Sequence, residues 1–189
     1  MNIESQIEQF VQMSKAKIES HLSKSRKNIL VISYYPTYRK HYGNLISKLK
    51  EKYNVITIVE RELNDDFERS GHANVLFPWR IIEQGKSYYL NTEISGIDLI
   101  LSADQVGYEN GRIDREFLSK TASRVYFPHS LIEQTGAVAV VDYILVPSTI
   151  ALKAFKAALS NTKVKWLSKT RCCNLSLQIQ SKQYNNLCT

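Results

Sequence analysis

Glycine is scarce, seven residues in 189, and none stands in a Gly-x4-Gly-Lys-Ser/Thr, Gly-x-Gly-x-x-Gly or Gly-x-Ser-x-Gly pattern. Backbone amides cradle phosphates only where glycines let the chain turn tightly, and a nucleophile elbow needs them beside its serine. Nucleoside-triphosphate hydrolysis, dinucleotide binding and serine-hydrolase chemistry are therefore disfavoured. Cysteine is scarce too: Cys172, Cys173 and Cys188 all fall in the last eighteen residues and match no zinc or redox spacing. No His or Cys pair stands at i, i+4, so neither a metal nor any other cofactor is implied. Long apolar runs are missing. The longest, Ala137 to Val141, is far short of the ~18–20 residues of a membrane span. The first twenty residues hold Glu4, Glu8 and Glu19 where a secretory signal would be apolar. The expectation is a cytoplasmic chain that keeps its thiols reduced.

Acid is missing from one region only. Residues 1–60 carry ten bases and five acids, residues 61–150 eight and thirteen, and residues 151–189 seven bases and no acid. The net +7 is thus an acidic centre between two basic ends. Hydrophobic residues at 43% and charged residues at 23% are globular values that support a buried core.

Three stretches organise the chain. Residues 1–24 read as an amphipathic helix, with Ile3, Ile7, Phe10, Val11, Ser14, Ile18 and Leu22 on one face. Residues 25–165 alternate apolar strands with helical patterns. Strands are expected at 28–33, 54–59, 74–77, 97–102, 124–127 and 143–146, with a further one at 162–167. Helices are expected from Tyr38 to Lys52, from Trp79 to Leu90 behind Pro78, from Asp114 to Lys120, and from Ser148 to about Ala158. Gly107 to Gly111 reads as a turn-rich loop. This alternation predicts a three-layer α/β domain on a mostly parallel sheet. Residues 166–189 form a basic, Cys-containing tail whose composition suits an edge strand or disorder equally.

Ligands of parallel sheets bind beyond the carboxyl ends of the strands. Those ends carry Ser33, Tyr34 and Tyr35, then Glu60 and Arg61, then Ser102 and Asp104, then His129 and Ser130, then Ser148. The composition suits a carbohydrate-like or phosphorylated ligand, although strand-to-helix loops are polar in any case and Ser148 doubles as a helix cap. His129, between Pro128 and Ser130, stands where an imidazole titrating near neutrality would act as general base on a hydroxyl. The alternative is a hydrogen-bonded structural histidine. His41, after Arg39 and Lys40, marks either an anion contact or a solvated basic turn. His21 and His72 read as incidental.

Residues 124–155, RVYFPHSLIEQTGAVAVVDYILVPSTIALKAF, resemble the CDP-glycerol glycerophosphotransferase family of teichoic acid and capsular polymer synthesis. An apolar strand ends in Pro128-His129-Ser130, where the family has His-Gly-Thr. Asp142-Tyr143 then leads through an apolar strand into Pro147-Ser148, followed by a helix with Phe155. The resemblance implies the Rossmann-like, acceptor-side N-terminal domain of a GT-B fold, with His129 as its base; Ser130 stands where the family has glycine, and Ser33, Tyr34, Tyr35, His41, Asp104, Ser130 and Ser148 are expected near the substrate from their places at the strand ends and a helix start. It implies a nucleotide-activated donor such as CDP-glycerol, bound by a second domain outside this chain, and a polyol-phosphate or glycan acceptor. Turnover by these residues alone is not expected, because a GT-B site lies between two domains.

The competing expectation is a binding domain without catalysis. Its basic ends would meet a partner chain or the anionic inner face of the cell membrane, with nucleic acid disfavoured for lack of a recognition motif.

Overall fold

The amino-terminal helix α1 (Ile3–Ser20) is held at its start by Asn2, whose Oδ1 accepts the Ser5 N–H at 2.8 Å. Its buried residues are Val11, Ser14 and Ile18, and Ile7, Phe10 and Leu22 pack against the same core. The stripe anticipated from spacing is therefore the face that the helix spends on its own domain. The computed structural model describes residues 2–33, 42, 44–60, 73–103, 108–109, 112–114, 116–127, 141–146, 150, 153 and 165–168.

Strand β1 (Asn28–Ile32) is buried at all five positions, as a β-branched run covered on both faces must be. Each of its aliphatic side chains contributes about 1.5–3 kcal/mol by leaving water. Helix α2 (Leu45–Lys52) follows, with Leu45, Ile46 and Leu49 inward, and leads to β2 (Asn54–Val59), then β3 (Ala73–Leu76).

The expected helix from Trp79 to Leu90 does not form. In its place β4 (Arg80–Glu83) and β5 (Lys86–Tyr89) make an antiparallel hairpin, closed by Gln84 and Gly85 at φ 50° and 73°. Two successive positive φ values make the two-residue turn whose twist suits a hairpin. The Ile81–Tyr88 and Arg80–Tyr89 cross-strand pairs then favour strands over a helix that would have to carry Gly85 inside it. Trp79 meets Tyr89 edge-on at 6.5 Å, Tyr89 meets Phe117 at 5.8 Å, and the Arg80 guanidinium lies 4.5 Å over the Trp79 ring.

Strand β6 (Leu99–Ser102) enters the sheet next. Within the stretch 107–111 expected as a loop, Tyr108–Glu109 forms β7, which pairs antiparallel with β8 (Arg112–Ile113), and residues 107, 110 and 111 lie outside the described residues. The helix expected from Asp114 is also absent among the described residues. Asp114 Oδ1 accepts the Glu116 N–H at 3.0 Å as a helix cap would, but the chain only turns, and Leu118 at φ 62° ends it. A buried leucine in that region is strained and must be held by its neighbours. Asn91 Oδ1 accepts its N–H at 2.9 Å, and one nitrogen of the buried Arg124 guanidinium donates to Phe117 O at 2.6 Å and Ser119 O at 2.8 Å. Burial lowers the Arg124 pKa, while the charges of Asp114, Asp142, Tyr89 and Glu93 oppose that shift.

Strands β9 (Ser123–Tyr126), β10 (Tyr143–Val146) and β11 (Lys165–Ser168) complete a seven-stranded sheet in which every neighbouring pair is parallel. Of the strand expected at 162–167, residues 165–167 are in β11, which runs to Ser168, and residues 162–164 lie outside the described residues. Of the helix expected from Ser148, Ile150 and Lys153 are helical and the rest lies outside the described residues. The molecule is an α/β fold on a parallel sheet. No helix among the described residues is long and apolar enough to cross a membrane.

Candidate functional site at the carboxyl edge of the sheet

Across the sheet the strands stand in the order β3-β2-β1-β6-β9-β10-β11. Numbered by their appearance in the sheet, that is 3-2-1-4-5-6-7. The chain steps outward from β1 to β3, returns to the other side of β1 at β6, and then steps outward the opposite way. The connections leaving β1 and β6 diverge at this reversal, the place in open α/β sheets where ligands bind beyond the carboxyl ends of the strands.

Ser33 stands at that place. Its N–H donates to Ile58 O at 2.9 Å, extending the β1–β2 ladder by one residue. Its side chain is fully buried, and its Oγ has no hydrogen-bond partner among the described residues. A buried hydroxyl without a partner is costly, about 1–3 kcal/mol, and uncommon in native proteins. Ser102 and Ala103, buried at the end of β6, form the other lip. The Phe127 N–H donates to Ser102 O at 2.7 Å and carries the edge on to β9.

Tyr42 ties these ends together. Its Oη donates to Ile32 O at 2.8 Å, satisfying the last carbonyl of β1. Its ring lies 5.7 Å from that of Phe127, tilted by 53°. A tyrosine just ahead of α2 thus spans from β1 to the end of β9, and the described residues beneath the carboxyl edge are neutral and buried: two serines, an alanine and two aromatic rings.

Of the residues anticipated for substrate, only Ser33 lies in the described structure. Tyr34, Tyr35, His41, Asp104, His129, Ser130 and Ser148 lie outside the described residues, as do His72, Cys172, Cys173 and Cys188. Sequence reading placed Tyr42 only on the apolar face of a helix and Phe127 only at the end of a strand. The signal for both is an aromatic next to a strand terminus or helix start on the edge where ligands bind.

Asp142, the first residue of the second resembling motif, lies at the opposite edge. It precedes β10, its Oδ2 accepts the Arg124 N–H at 2.8 Å, and its own N–H donates to Arg124 O at 3.0 Å. Its role there is to hold two strands in register. No family model, curated protein or solved structure matches the chain.

Proposed function

We propose that this chain supplies the acceptor-side half of a CDP-glycerol glycerophosphotransferase-like or glycosyltransferase-like enzyme of cell-surface polymer synthesis. In this reading the α/β fold is the Rossmann-like N-terminal domain of a GT-B arrangement. The observation that carries it is the reversal of strand order between β1 and β6, with the unpartnered Ser33 hydroxyl at the β1 terminus. The resemblance over residues 124–155 supplies the chemistry.

The acceptor, a polyol-phosphate or glycan end, rests at the carboxyl edge against Ser33, with Tyr34, Tyr35, His41, Asp104, Ser130 and Ser148 around it. His129 takes the proton of the attacking hydroxyl. That oxygen forms the new bond to the glycerol-bearing phosphorus, the phosphoanhydride bond breaks, and CMP leaves. The donor belongs to a second domain, on the same or another polypeptide, so both halves are needed for turnover.

Incubating the purified chain with CDP-glycerol and a primed glycerol phosphate acceptor is expected to give no transfer. Adding a donor-binding partner domain is expected to give transfer that His129→Ala abolishes. Transfer by the chain alone would overturn the need for a second domain, and transfer that survives His129→Ala would overturn the assignment of the base.

A further inference from the structure

We draw no further inference here: the strongest candidate, the pair of Thr57 and Asn74 side chains at register positions of β2 and β3, whose buried polar atoms have no hydrogen-bond partner among the described residues, lies within the sheet, and nothing in the structure shows what covers it.

Discussion

Asp98 and Asp142 do the same work at two places on the amino edge of the sheet. Asp98 precedes β6 and exchanges two hydrogen bonds with Asn28: its N–H donates to Asn28 O at 3.0 Å, and its Oδ2 accepts the Asn28 N–H at 2.8 Å. Asp142 precedes β10 and exchanges the same pair with Arg124, at 3.0 and 2.8 Å. In each case a carboxylate stands in for the carbonyl that a longer strand would have provided, and fixes the register of the parallel pair. Asp98→Ala and Asp142→Ala are each expected to lower unfolding stability by about 1.5–3 kcal/mol, the value of a hydrogen bond to a charged group. Urea unfolding monitored by circular dichroism checks this.

Arg124 restrains the strained Leu118 through the carbonyls on either side of it. Arg124→Met keeps most of the apolar stem but leaves both carbonyls without that donor. A loss of about 3 kcal/mol is expected, read from the urea midpoint. Arg124→Lys is expected to recover only part of it, since both bonds come from the terminal Nη2 and the shorter lysine side chain places its ammonium short of that position.

The hairpin turn places Gln84 at φ 50°, a conformation that asparagine and glycine adopt more readily. Gln84→Asn is expected to raise stability by about 0.5 kcal/mol, seen as a small rise in melting temperature. A helix over 79–90 would gain nothing from this change.

How far the sequence revealed the fold can be argued from particular residues. Strands β2 and β10 were legible to the residue, because each is an apolar run bounded by polar residues and buried inside the sheet. The stripe of α1 was legible for the same reason. Residues 80–89 were not, because Pro78 resembles a helix start, and only the placement of Gly85 between two short apolar pairs argues for a turn. The carboxyl edge was legible as a location, through Ser33. The bridge from Tyr42 to Phe127 was not, because it joins residues far apart in the chain through a ring contact that no local pattern encodes. Asp142 was read as part of a functional motif, and its two bonds to Arg124 depend on a strand pairing that sequence spacing does not specify.

Thr57 sits in the middle of β2, fully buried, with its hydroxyl unpartnered among the described residues. It lies within the sheet rather than at its carboxyl edge. Thr57→Val replaces that hydroxyl with a methyl of similar shape, and about 1 kcal/mol of added stability is expected in thermal or urea unfolding, with ligand binding unchanged.

Ser33 carries the same kind of unpartnered hydroxyl at the edge where the proposed acceptor binds, so its removal is expected to separate stability from binding. The most direct measurement is an amide chemical-shift titration of the chain and of Ser33→Ala with a short glycerol phosphate oligomer. The account predicts perturbations at Ser33, Ser102 and Phe127 in the parent, and at least about tenfold weaker binding in a variant that is itself no less stable. Perturbations confined to Asn28, Asp98 and their neighbours at the amino edge, or equal binding by Ser33→Ala, would contradict it.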